Sequence, residues 1–342
     1  MPASHPRTLR RRVAPVILFL LALVLAACAP IDEGNGEGDP AATGTAGTGD
    51  DGGGQLSIAT GGTGGVYYPL GGGFATVIRE NVPGYDATVS ETNASVDNMQ
   101  LIGDGGADLA LVLGDTAADA VNGAADFEGS PITACSLGRL YDNYTQIVTS
   151  AGSGITSIED MEGTSISLGS PGSGTEIIAL RILETAGFDP DADISRQQLG
   201  VAETVAALRD GTIDAGFWSG GLPTGALVDY ATTGDMVLIP HGERADALQQ
   251  AYGDYYTEAE IPAGTYEGQT ASVSVVVVPN VLVANPENMP EELQQQITAA
   301  IYDNKEQLVA VHPAAEELDA GTASEIGFME VCPGSQAYFD GQ

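Results

Sequence analysis

The stretch from Ser57 to Gly73, Ser-Ile-Ala-Thr-Gly-Gly-Thr-Gly-Gly-Val-Tyr-Tyr-Pro-Leu-Gly-Gly-Gly, restricts the fold more than any other part of the chain. A short apolar run, Leu56 to Ala59, meets a cluster of Gly and Thr, after which Leu70, Phe74, Val77 and Ile78 recur at helical spacing. That is a strand, a glycine turn and a helix start. Gly has no side chain and accepts positive φ, so the turn lets backbone close on a ligand, while the helix behind it presents unpaired N–H groups to an anion. The unit returns further on. Ser165 to Gly169 reads as a strand, Ser170-Pro-Gly-Ser-Gly-Thr175 as a small-residue turn, and Ile177, Ile178, Leu180, Ile182 and Leu183 as a helix ending at Gly187.

Between the two units, residues 86 to 92 alternate as a strand, and Ser95 opens a helix with Val96, Met99 and Ile102 on one face and Asn98 one turn in. Leu109 to Leu113 is an apolar run typical of a parallel strand buried on both faces. Asp115 follows its carboxyl end, where open α/β sheets bind ligands, so it is expected to line a cleft. Separate strands are expected at Cys135–Tyr141 and Thr145–Thr149, and a second crossing at Val273–Val278 and Val281–Ala284, broken by Pro279. Trp218, the only tryptophan, ends a further strand and is either core or cleft wall. The expected fold is α/β with two lobes, residues 56–144 plus 275–342 and residues 145–274. Two crossing segments form the hinge, and the ligand lies between facing helix N-termini.

The chain opens with Arg7, Arg10, Arg11 and Arg12 before an apolar stretch to Ala27, which reads as a secretory leader over residues 1–27. Leu25-Ala-Ala-Cys28 resembles the bacterial lipobox, in which the cysteine is lipidated and becomes the mature N-terminus; a plain leader with an incidental cysteine is the alternative. Residues 28–55 hold Gly, Ala, Thr and acids with no aromatic residue, and are expected to form a flexible tether. Past Ala27 the chain has 47 acidic residues and seven basic ones, a formal charge of −40. Nucleic acid is thereby excluded as a partner. The charge is either an ordinary solvated surface or an adaptation to high salt, where screening removes self-repulsion.

Lys305, the only lysine, follows no glycine loop, so no phosphate loop of the GxxxxGK[ST] kind exists. Ser173 does not sit in GxSxG, and neither His241 nor His312 accompanies a nucleophile motif, so no catalysis is expected. Without CxxC spacing no metal site is expected, and no cofactor. Cys135 and Cys332 are either a disulfide, worth roughly 4–5 kcal/mol through loop closure, or two buried thiols.

Six ordered blocks, Gly62-Thr-Gly-Gly-Val-Tyr-Tyr-Pro-Leu-Gly-Gly, Ala94-Ser-Val-Asp-Asn98, Ala107-Asp-Leu-Ala, Gly169-Ser-Pro-Gly-Ser-Gly-Thr175, Leu208-Arg-Asp-Gly-Thr-Ile-Asp-Ala215 and Ile261-Pro-Ala-Gly-Thr-Tyr, resemble the TAXI solute receptors of tripartite ATP-independent periplasmic (TRAP) transporters. The likeness runs from Leu56 to Phe339. It implies a two-domain periplasmic-binding-protein fold of type II that delivers a small organic acid or amino acid, glutamate-like or a dicarboxylate, to an ion-coupled permease. The receptor would be a monomer anchored outside the cell membrane. By motif the ligand contacts would be Thr63, Gly64 and Tyr67, then Ser95 and Asn98, then Ser170, Ser173, Gly174 and Thr175, with Tyr68 and Trp218 as walls. Gly114-Asp115 departs from the family's usual Ser-Asp. Arg139 is another departure, either a carboxylate ligand or a surface ion pair, and Arg181 is read as structural. A receptor for an ATP-driven (ABC) importer or a sensor kinase is the rival reading.

Overall fold

The computed structural model describes residues 53–233 and 235–342. The expected leader, Cys28 and nearly all of the tether lie outside the described residues, although Gly54 and Gln55, placed in the tether, already belong to the first strand. Among the described residues no helix is long and apolar enough to cross a membrane.

The chain runs β1 (Gly54–Ala59), α1 (Tyr67–Asn81), β2 (Tyr85–Ser90), α2 (Ser95–Asp104), β3 (Leu109–Leu113), α3 (Gly114–Asn122) and then the long β4 (Cys135–Ser150). It continues through β5 (Ser165–Ser167), α4 (Gly174–Thr185), β6 (Ser195–Gln197), α5 (Val201–Arg209), β7 (Ala215–Gly220), α6 (Gly225–Ala231) and β8 (Met236–Ile239). Last come α7 (Ala245–Tyr252), β9 (Thr257–Ile261), β10 (Val273–Ala284), α8 (Glu291–Tyr302), α9 (Lys305–Val311) and α10 (Pro333–Phe339).

The sheet order is β2-β1-β3-β10-β4-β7-β5-β6, with β8 on β4 and β9 on β10. Each half repeats one plan. In the first, β1 lies between β2 and β3, all parallel, and β10 returns antiparallel beside β3; in the second, β5 lies between β6 and β7, with β4 antiparallel beside β7. Parallel strands need both faces covered, and helices supply the cover. One apolar cluster joins α1 and α8 to the first half, another joins α2 and α3 to its other face, and two more flank the second half. This is the α/β fold of two-lobed periplasmic binding proteins.

Two sequence expectations change. Cys135 to Ser150 is one 16-residue strand rather than two, because both its faces are buried and no alternation marks its length. Val273 to Ala284 is also one strand, and Pro279, which has no N–H to give, sits where the register against β4 slips between Pro279 and Val281. The expected lobe junctions therefore fall inside β4 and just within β10. The two cysteines are bonded, Cys135 to Cys332 across a sequence separation of 197.

His241, at the end of β8, is fully buried. One ring nitrogen, Nδ1, lies 2.9 Å from the Ile239 carbonyl while Nε2 has no partner. Burial, with the nearby Arg244 guanidinium, lowers its pKa from 6.5 to about 4. The folded state then binds fewer protons than the unfolded one between those values, so this histidine's contribution is complete above pH 6.5 and lost as pH falls toward 4. The loss amounts to about 3 kcal/mol at most. His241→Asn, whose amide can still donate to Ile239, is expected to show a shallower decline than the parent in urea titrations between pH 7 and 4. Parallel pH profiles would refute the assignment.

Candidate functional site

The first glycine turn is held from below. Thr60 donates its hydroxyl to the Ser90 carbonyl at 2.7 Å, and its own carbonyl accepts from Thr92 Oγ1 at 3.0 Å and Asn98 Nδ2 at 2.7 Å. Gly65 N–H closes the turn on the Gly62 carbonyl. The indole of Trp218 lies directly on this turn, so a Cβ at Gly65 would stand 2.9 Å from its ring. Trp218 is fixed there by donating Nε1–H to Thr224 Oγ1 at 2.9 Å.

The second turn uses positive φ at Gly169 and Gly172. Ser173 caps α4 by accepting from Glu176 N–H at 3.1 Å. The N–H groups of Gly174 and Thr175, first in α4, have no acceptor among the described residues. The Gly172 carbonyl accepts from Val96 and Asp97 at 3.2 and 3.3 Å. It thereby occupies the N-terminus of α2, the helix that Ser95 opens.

The two turns, the middle of β4 and the end of β7 enclose a cavity of about 640 Å³. Thr63, Gly64, Tyr67 and Ser95 line it from the first half, and Ser170, Ser173, Gly174, Thr175 and Trp218 from the second. Three expected contacts are placed elsewhere. Asn98 is fully buried, its amide spent on the Thr60 and Leu111 carbonyls and on Thr92, so it braces the turn. Tyr68 is one helix step, about 100°, from Tyr67 and lies off the cavity, half-buried.

Asp115 opens α3 and points away from the cavity into a buried cluster. It accepts from Tyr256 Oη at 2.8 Å and lies 3.7 Å from Arg181, which also pairs with Asp119 at 2.6 Å. Burial pushes the Asp115 carboxyl upward, and Arg181 pulls it partly back. With its partners on α3 and itself on α4, Arg181 is a structural tie between the halves. Arg139 pairs with Asp142 outside the cavity.

Sequence reasoning missed the floor. Tyr141 and Asn143 on β4 and Ser219 on β7 line the cavity, and Tyr141 Oη, Asn143 Oδ1 and Ser219 Oγ are buried without partners. A buried polar atom left unpaired costs about 1–3 kcal/mol, so such atoms mark a place where something else binds. The available signal was Asn143 and Gln146 within a strand buried on both faces. Three acids, Glu91, Asp97 and Glu203, also line the cavity, and no Lys, Arg or His does. Among the described residues no group of three His, Cys, Asp or Glu is arranged to hold a metal.

The fold encloses one cavity between its two halves, and each half lends it one glycine turn. The chain belongs to the NMT1-like family, which it matches over residues 58–342. Solved structures similar to it include the alkanesulfonate-binding protein of Xanthomonas axonopodis pv. citri bound to MOPS, at 16% identity over 84% of this chain and 83% of that one, TM-score 0.47. A binding protein component of an ABC phosphonate transporter from Pseudomonas aeruginosa is 11% identical over 76% and 78%, TM-score 0.49. An ABC uptake transporter substrate-binding protein from Streptococcus pneumoniae with bound histidine is 13% identical over 77% and 92%, TM-score 0.45.

Proposed function

We propose that the chain is an extracytoplasmic receptor, lipid-anchored through Cys28 and tethered by the residues between Cys28 and β1, that captures a small organic acid or amino acid and hands it to a membrane importer. The observation that carries this reading is the cavity of about 640 Å³ lined by both glycine turns, with orphaned polar atoms on its floor. Its size suits a small solute. The contacts are Thr63, Gly64, Tyr67 and Ser95 on one side and Ser170, Ser173, Gly174, Thr175 and Trp218 on the other. Residues 56–144 with 275–342, and residues 145–274, act as the two lobes, each built on one strand, glycine turn and helix unit.

Two importers fit such a receptor. The ATP-driven kind agrees with the transporter class in the names of the similar structures. A TRAP permease agrees with the six sequence blocks. A thermal-shift screen of small carboxylates, amino acids and neutral solutes tests capture, and a raised melting temperature with at least one of them is expected. Absence of any response would end the receptor reading. Uptake into vesicles carrying the permease encoded beside this chain separates the importers: dependence on ATP selects the first, dependence on an ion gradient alone the second.

A further inference from the structure

The cavity floor offers a hydrogen-bond acceptor that cannot be turned into a donor. Asn143 is 1% exposed, Tyr141 1% and Ser219 6%. Tyr141 and Asn143 are two apart on β4, so they share one sheet face; Ser219 pairs directly with Thr145, two residues further on, and so projects from that same face of the β4–β7 pair. Hydroxyls rotate to suit a partner, but a side-chain amide is fixed by its bonds. Asn143 Nδ2 donates to Asn280 Oδ1 at 2.9 Å, and the Tyr67 hydroxyl donates to that same oxygen. Asn280 is itself pinned, because its Nδ2 donates to the Tyr141 carbonyl at 3.3 Å. Reversing Asn280 would set its oxygen against that carbonyl, and reversing Asn143 would set its oxygen against Asn280 Oδ1. Asn143 Oδ1 is thus left as an unpaired acceptor, with Tyr141 Oη and Ser219 Oγ as two more oxygens able to accept.

Charge points the same way. Glu91, Asp97 and Glu203 line the cavity and no cationic side chain does, so a plain anion would meet like charge there, offset only by the free N–H groups at the starts of α1, α4 and α5. Resting on the receptor reading above, we infer that Asn143 is the specificity-determining residue of the cavity: its Oδ1 accepts from a ligand ammonium, whose three N–H groups match the three orphan oxygens, while a ligand carboxylate lies at Gly174 and Thr175 N–H. The ligand is then a zwitterion and not a simple mono- or dicarboxylate.

Calorimetry with matched probes tests this: L-glutamate against glutarate, L-aspartate against succinate, L-alanine against propionate. The amine-bearing member of at least one pair is expected to bind at least tenfold more tightly than its partner. Asn143→Leu is expected to weaken that binding more than tenfold. Ser219→Ala, a smaller change, reports a milder loss should the leucine variant fail to fold. Equal or tighter binding of the desamino members, or unchanged affinity in Asn143→Leu, would overturn the inference. So would binding of neutral sugars with no response to any matched probe, which leaves the receptor reading standing; silence toward every small solute would overturn the receptor reading itself.

Discussion

Gly64→Val is expected to lower solute affinity by more than about 100-fold, some 3 kcal/mol, while leaving the unliganded protein nearly as stable as the parent. The reason lies in what faces Gly64. A Cβ there would stand 3.2 Å from Val201 Cγ1, 3.4 Å from Ala226 Cβ and 3.6 Å from Ala202 Cβ, all on α5 and α6 of the other half. The Gly64 carbonyl also accepts from Ala226 N–H at 3.3 Å. Valine adds two carbons beyond that Cβ, and the strain is relieved more cheaply by parting the halves than by disturbing either core. Calorimetry with the solute found in the thermal-shift screen, beside urea unfolding without it, separates the two effects. Unchanged affinity would remove this turn from the site.

Removing the disulfide carries the largest expected stability effect. Cys135 opens β4 and Cys332 precedes α10, and backbone bonds already strap the two segments together, Cys332 N–H to the Ser136 carbonyl at 2.8 Å and Ser136 N–H to the Glu330 carbonyl at 2.9 Å. The bridge closes a loop spanning a sequence separation of 197. By loop-closure entropy its loss from the double variant Cys135→Ala, Cys332→Ala costs about 5 kcal/mol. Both cysteines are buried, so alanine introduces no unpaired polar group. Urea unfolding of parent and variant measures the difference, and a loss below about 1 kcal/mol would show that the folded contacts alone hold this end of the chain.

The sequence made the two strand, turn and helix units legible because each is local: apolar run, glycines and helical spacing occur within some twenty residues. Seven of the nine expected contacts that line the cavity lie on those units; Ser95 on α2 and Trp218 on β7 are the other two. Asn98 and Asp115 were misplaced for a different one. Position after a strand or one turn into a helix says which end of the sheet a residue occupies, but not whether its side chain turns to the cleft or to the neighbouring backbone. For Asn98 the Thr60 and Leu111 carbonyls decide, and for Asp115 it is Arg181, 66 residues away in sequence. The floor residues Tyr141, Asn143 and Ser219 were hidden because their common face is set by the pairing of β4 with β7, a long-range register that no local pattern carries.

The Gly172 carbonyl, lodged on the first N–H groups of α2, makes the two turns unequal partners. With α2 already occupied, the first half keeps one free helix end at the cavity, that of α1, while the second half keeps two, those of α4 and α5, along with Trp218 and Ser219. On the proposed reading the second half is therefore the seat and the first half the cover. A permease that draws the cover away meets a solute still resting on its seat, and the hand-off proceeds from that side alone.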